Sequence, residues 1–240
     1  TVQNTMGVQA VHPVPLDILE GQIEAVLSDI GTDAVKIGML HSAQVVDLVA
    51  EKIEKYGITN VVLDPVMVST SGHRLIGEDA VDHIKRYLMP LARVVTPNLP
   101  EAEILSGRKI GGEEDFADVA RAISNGGKVS VFLKAGHLQS ETLVDYLYNA
   151  EDGSMTLLPS KRFHTHNTHG TGCTLSSAFA AALARGFSLA DAAVCAKKYI
   201  SEAIRSGADV RTGNGFGPVN HGFDPQKMFL NNKKNNQDVQ

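Results

Sequence analysis

The sequence predicts an α/β fold with a mainly parallel sheet covered by helices on both faces. Three observations carry that expectation. Short, near-continuously apolar runs alternate with longer runs of helical spacing. The apolar runs hold too few polar residues to face water on either side. Polar residues and glycines gather directly after them, and in such sheets ligands sit beyond the carboxyl ends of the strands.

The elements follow in order. Pro15 to Ile30 spaces Leu16, Ile18, Leu19, Ile23, Val26 and Leu27 as one helix face. Ala34 to Gly38 is a short strand, and His41 to Tyr56 repeats Val45, Val46, Leu48, Val49 and Ile53 at helical intervals. Asn60 to Asp64 is a buried strand that ends in a carboxylate. Asp79 to Leu91 is a helix and Arg93 to Thr96 a strand; Pro100 to Leu105 and Glu113 to Ser124 are helices. Val129 to Lys134 is a strand that ends in a lysine. The rhythm then changes. Glu141 to Asn149 and Ser154 to Pro159 flank Asp152-Gly153, a dipeptide that favours a hairpin turn. Helices over 171–185 and 188–206 complete the pattern, the second with Cys195 on an alanine-rich face. Residues 1–225 read as one domain, and 226–240 as a polar tail in which Asn231 to Gln237 are aperiodic.

Composition narrows the function. A net charge of -5 without a dense Lys/Arg block argues against bulk nucleic-acid binding. Aromatic content of 5% with no Trp argues against a base-stacking platform. Cys173 and Cys195 make no disulfide framework, which suits a reducing, cytoplasmic setting. No apolar run approaches the roughly 20 residues of a membrane span.

Asn167 to Thr174, Asn-Thr-His-Gly-Thr-Gly-Cys-Thr, is the most informative stretch. Gly170 and Gly172 lie one residue apart where a helix opens, so backbone can come close to a ligand. The first amides of a helix have no internal partner and point at that ligand, which makes an anion hole of Gly170, Thr171 and Gly172. Cys173 sits inside it, where a helix N-terminus favours a thiolate. It suits a base, a nucleophile or a packing group; an inert buried cysteine is the plain structural alternative.

Asp64 and Glu101 each follow a buried strand on the expected ligand edge and suit Mg2+. A turn carboxylate before Pro65 and a first-turn acid behind Pro100 are the plain alternatives. Lys134 suits a nucleotide phosphate or, more simply, solvent. His164, His166 and His169 fit no common zinc spacing. A Cys173–His169 pair would suit a cysteine hydrolase, but no third group is placed to orient the imidazole. Gly213 to Pro218 is a glycine-rich loop too irregular for a dinucleotide fingerprint.

Asn167 to Thr174 resembles the signature of the hydroxymethylpyrimidine/phosphomethylpyrimidine kinases of thiamine biosynthesis, members of the ribokinase-like superfamily. Val2 to Thr5, Lys36 to Leu40, Leu63 to Met67, Val95 to Ala102 and Gly215 to Val219 match the same family in the same order. The resemblance spans Val2 to about Phe223. It implies a three-layer α/β/α sandwich and phosphoryl transfer from ATP with Mg2+. The acceptors it implies are 4-amino-5-hydroxymethyl-2-methylpyrimidine and its monophosphate. By position, Gln3 would bond the aminopyrimidine edge, Met39 and Val66 would pack on the ring, and Cys173 would take the place of a catalytic aspartate found elsewhere in the superfamily. Gly170, Thr171 and Gly172 would form the anion hole. Asp64 and Glu101 would organise Mg2+, and Lys134, Asn98 and Thr171 would contact ATP phosphates. The resemblance also suggests a homodimer.

The family opens with a strand, a glycine-rich turn, a helix and a second strand that this sequence does not contain, one βαβ unit of about 30 residues or more. The expectation is that the native polypeptide carries that segment. A pyridoxal or pyridoxine kinase of the same fold is the nearest alternative activity. A non-catalytic pyrimidine-binding regulator and a cysteine hydrolase are alternatives of other classes.

Overall fold

The computed structural model describes residues 1–67, 76–136, 141–227 and 229, with Glu78 by its backbone alone. The expected rim residue His137 and the polar tail from Asn231 lie outside the described residues.

A six-stranded sheet has the order β3 (Val35–Ile37), β4 (Val61–Leu63), β5 (Val94–Val95), β6 (Ser130–Leu133), β7 (Thr142–Tyr148), β8 (Met155–Lys161). The first four strands run parallel, and β7 and β8 form an antiparallel hairpin against β6. This is the α/β sandwich that the strand–helix rhythm predicts, with the change of rhythm after Lys134 marking the switch to antiparallel pairing and Asp152-Gly153 lying in the turn between β7 and β8. Gly153 has φ 73, the left-handed conformation that a turn of this kind demands.

The sheet residues alternate between two cores. Val61, Leu63, Val95, Val131 and Leu133 face α2 (Ala43–Lys55), α3 (Glu78–His83), α4 (Leu99–Ser106) and α5 (Phe116–Ser124). Val62, Val94, Phe132 and Leu147 face α6 (Thr171–Ala184) and α7 (Leu189–Gly207). Phe132 and Phe179 meet edge to face across the second core at 5.9 Å, a favoured aromatic geometry. Both cores leave the carboxyl ends of β3 to β6 on one rim.

Two regions differ from the expected elements. The helix expected over 79–91 is α-helical only to His83; Ile84–Leu88 is a π-helical turn and Met89–Leu91 a 3-10 turn. Pro90 accounts for the end, because it has no N–H to continue an α-helical ladder. The N-terminal residues, in which no element was expected, pair as β1 (Val2–Asn4) and β2 (Gly7–Ala10), an antiparallel hairpin outside the main sheet. Next to it α1 (Leu16–Asp29) buries none of its residues fully. It is tied to α2 through Lys52, which bonds Glu20 at 2.5 Å and lies 3.0 Å from Glu24, through Lys55, which bonds Glu24 at 2.7 Å, and through the Tyr56 hydroxyl at the end of α2, which also donates to Glu24. No helix among the described residues is long and apolar enough to cross a membrane.

Candidate active site

Asp64 is the centre of the rim. It follows β4 directly and is 1% exposed. Its Oδ1 accepts from Lys134 Nζ at 2.7 Å and from Thr96 Oγ at 3.2 Å. Its Oδ2 lies 3.2 Å from Ser176 Oγ and 3.8 Å from Lys36 Nζ. Ser176 Oγ is also 3.0 Å from the Gly172 carbonyl, and its single proton serves one of these acceptors at a time. A carboxylate this deep is tolerated only when it is paired and hydrogen-bonded, and here both oxygens are.

Lys134 leaves β6 beside Asn98, with its amide bonded to the Pro97 carbonyl at 2.9 Å. Burial pulls its ammonium down, but the charges of Asp64 and Glu101 outweigh that and hold it above the usual lysine range. Cys173 adds to the same effect, so the sulfur lies within electrostatic reach of the ammonium. Behind Lys134, the amide of Ala135 donates to buried Asp145 at 2.8 Å, and Asp145 in turn accepts from Lys197 at 2.6 Å. The lysine's exit from the sheet is therefore pinned to α7.

Glu101 and Asn98 form a reciprocal capping box at the start of α4. The Asn98 amide donates to Glu101 Oε2 and the Glu101 amide to Asn98 Oδ1, each at 2.9 Å. The plain structural alternative for Glu101 is thus present, and it leaves Oε1 outside the box. Burial raises the Glu101 carboxyl pKa; Lys134 opposes the rise and Asp64 adds to it. Glu101 and Asp64 therefore repel one another on the rim. Glu101 Oε1, outside the box, suits a hard divalent cation, whereas both Asp64 oxygens already accept from protein donors, so Asp64 would join such a cation only by exchanging one of them.

The mouth of α6 faces this pair. Gly170 caps the helix with φ 82, a conformation that L side chains rarely adopt. A Cβ on Gly172 would stand 3.3 Å from Lys134 Nζ and 3.9 Å from Asp64 Oδ2. Glycine lets the helix end come down onto the ion pair. The Thr171 hydroxyl bonds the Thr168 carbonyl at 2.7 Å and its amide reaches the same carbonyl at 3.3 Å, so, unlike the anion-hole role expected of it, this residue has both donors engaged. Among the described residues the Gly172 and Cys173 amides donate to no protein acceptor. Cys173 is exposed, not packed.

The glycine-rich loop has a definite task. The Phe216 amide donates to the Thr5 carbonyl at 3.0 Å, and the Gly215 amide to Thr5 Oγ at 3.3 Å. A Cβ on Gly215 would meet the Thr5 backbone, and one on Gly217 would meet Asn167 Oδ1. The His169 amide bonds the Gly217 carbonyl at 3.0 Å. One loop therefore clasps the β1–β2 hairpin on one side and the approach to α6 on the other. Asn167 anchors it, donating to the carbonyls of Gly207 at 2.7 Å and Val210 at 2.5 Å. Between His164 to Asn167 and Ala208 to Phe216 lies an open groove of about 560 Å³.

The structure thus gathers Asp64, Glu101, Asn98, Lys134 and residues 170–173 in one place. Met39 and Val66 are half-buried at the exits of β3 and β4. Gln3 is exposed on the hairpin, joined to the rest through the clasp. His164 stands beside Glu141 and His166 beside Phe216, directed to different neighbours. Thr96, Ser176 and Lys36 are partners of Asp64 that sequence reasoning missed. The available signal was a polar residue at the end, or in the middle, of an otherwise apolar strand or helix face.

The phosphomethylpyrimidine kinase family model matches residues 1–220. A hydroxymethylpyrimidine/phosphomethylpyrimidine kinase of Rhizobium meliloti is 43% identical over 222 residues, which are 92% of this chain and 82% of that protein. The crystal structure of a phosphomethylpyrimidine kinase from Clostridium difficile 630 superposes with a TM-score of 0.73 at 40% identity, covering 84% of this chain and 82% of that one. The pyridoxal kinase of Staphylococcus aureus in complex with AMP-PCP and pyridoxal reaches a TM-score of 0.81 at 33% identity, covering 93% and 79%.

Proposed function

The chain belongs to the phosphomethylpyrimidine kinase family, and we propose that it phosphorylates 4-amino-5-hydroxymethyl-2-methylpyrimidine and then its monophosphate at the expense of ATP, in thiamine diphosphate biosynthesis. The observation that carries the reading is the buried Asp64–Lys134 pair set against free amides at the mouth of α6. Phosphoryl transfer needs positioning and charge neutralisation more than covalent help from the protein. That pair and those amides supply both.

In this reading the Gly172 and Cys173 amides and Lys134 hold the migrating phosphoryl group. The acceptor hydroxyl oxygen bonds to the γ-phosphorus as the bond to the β,γ-bridging oxygen breaks, and ADP leaves. The hydroxyl proton passes to the Sγ of Cys173 as the thiolate, which becomes the neutral thiol; this sulfur is exposed at the helix mouth. Met39, Val66 and Gln3 position the pyrimidine. Asn98 holds the Glu101 carboxylate in place through the capping box. Asp64 and Glu101 would hold Mg2+, which neutralises phosphate charge when bound. The groove under Phe216 offers rings and backbone polar groups that suit the nucleoside of ATP. The two free cysteines support a cytoplasmic setting, and exposed Leu16, Ile18 and Val26 of α1 support a homodimer.

The test is ADP release by the protein with ATP and Mg2+, the pyrimidine alcohol and pyridoxal being offered separately. We expect acceptor-dependent ADP and pyrimidine phosphate. Turnover of pyridoxal with none of the pyrimidine would replace this reading with the pyridoxal kinase.

A further inference from the structure

Lys36 is a cation for which phosphoryl transfer to an alcohol has no evident use. It is the middle residue of β3, in register with Val62 of β4, which is in turn in register with Val94 of β5. Both valines are fully buried under α6 and α7, so Lys36 rises on the α6 side of the sheet. That is an expensive place for a charge unless it serves a partner.

Asp64 is only part of that partner. Lys36 Nζ lies 3.8 Å from Asp64 Oδ2, within ion-pair reach but beyond hydrogen-bond length. Lys134, Thr96 and Ser176 already approach the carboxylate more closely. Lys36 keeps 19% of its side chain accessible where Asp64 keeps 1%, so the lysine can be reached from outside where the carboxylate cannot. It makes no hydrogen bond among the described residues, and its donors are free for a ligand. Gly38 keeps room for it: a Cβ there would stand 2.8 Å from Lys36 Nζ. The next residue, Met39, belongs to the proposed acceptor pocket.

The charge balance of the two acceptors differs at this point. An alcohol brings no charge. A phosphate monoester brings about two negative charges and three acceptor oxygens. Lys134 and the α6 amides are engaged by the group arriving from ATP, and a second anion beside Asp64 would be repelled without another cation. We propose that Lys36 binds the phosphate carried by the acceptor itself, and so determines that the monophosphate is used as well as the alcohol. This rests on the kinase reading given above.

The test compares kcat/KM for the pyrimidine alcohol and for its monophosphate in the wild-type protein, Lys36→Met, Lys36→Arg and Gly38→Ala. A charged hydrogen bond lost to a bound phosphate predicts that Lys36→Met loses about ten- to a hundred-fold more on the monophosphate than on the alcohol, mainly through KM. Lys36→Arg should recover part of that difference. Gly38→Ala keeps the charge but pushes the ammonium aside, and should shift selectivity the same way by a smaller factor; it decides the matter if Lys36→Met fails to fold. Equal losses on both acceptors would overturn the proposal and leave Lys36 as a counter-ion of Asp64. A wild-type protein that phosphorylates the alcohol but not the monophosphate would overturn it while sparing the alcohol kinase; one that turns over neither would overturn both.

Discussion

The charge centre and the N-terminal hairpin are two halves of one candidate site, built in opposite ways. Asp64, Thr96 and Ser176 are almost fully buried, and Asp64 is held by groups from three strands or strand ends and one helix. The hairpin is mostly exposed, and Thr5 meets residues 213–216 through its carbonyl and its hydroxyl. The first half is anchored by the fold itself. The second hangs on a loop that tolerates no Cβ at Gly215. A transferring phosphoryl group needs fixed charges, because preorganisation is where the catalysis lies. An acceptor must enter and leave, which favours a cover of low local stability.

If that contrast is right, damage to the centre should strike kcat and damage to the clasp should strike KM. The largest effect is expected for Lys134→Met, with kcat lower by about 10³ in steady-state assays. A change confined to KM would break the comparison. Glu101→Gln should lower kcat by about 10² and yet raise the melting temperature by about 2–4 °C. The sign follows from its raised pKa. A carboxyl that ionises less readily in the folded state is most favourable below its unfolded pKa, and that contribution is lost as pH rises through the folded value. Glutamine removes the cost of an ionised, buried carboxylate at neutral pH. Unchanged or lower stability would contradict this.

Cys173→Ala should cost about 10² in kcat with little change in melting temperature, since the side chain is exposed. Gly215→Ala should raise the acceptor KM about ten-fold, and the KM for ATP with it because Gly215 also lines the groove assigned to the nucleoside, while kcat stays within about two-fold. Equal losses in every parameter would show that the hairpin is no separate half. The smallest effect concerns the outermost packing. Hydrogen bonds from Lys55, Tyr56 and Lys52 lower the Glu24 pKa to about 2. Its contribution is complete above the unfolded carboxyl value and is lost as pH falls through about 2. Amide exchange should show α1 loosening from α2 in that acid window, before the sheet opens.

The sequence revealed the two halves unequally, for physical reasons. The strands before Asp64 and Lys134 are short apolar runs, and Asn167 to Thr174 bears the mark of a helix opening onto a ligand; both signals are local. Lys36, Thr96 and Ser176 gave only a weak signal, each a single polar residue in an apolar context. They acquire meaning only when strand register and α6 bring them to Asp64. The hairpin was missed because its strands are three and four residues long and mostly exposed, with little periodicity to read. What holds it is contact between Thr5 and Gly215, 210 residues away in sequence.

The most direct test of the central claim is the alkylation rate of Cys173 by iodoacetamide, with half-buried Cys195 on α7 as internal control. If the mouth of α6 is where acceptor and phosphoryl group meet, the pyrimidine alcohol and AMP-PCP together should slow Cys173 labelling by about ten-fold or more and leave Cys195 unchanged. Labelling of Cys173 at the same rate in the saturated complex would contradict the account.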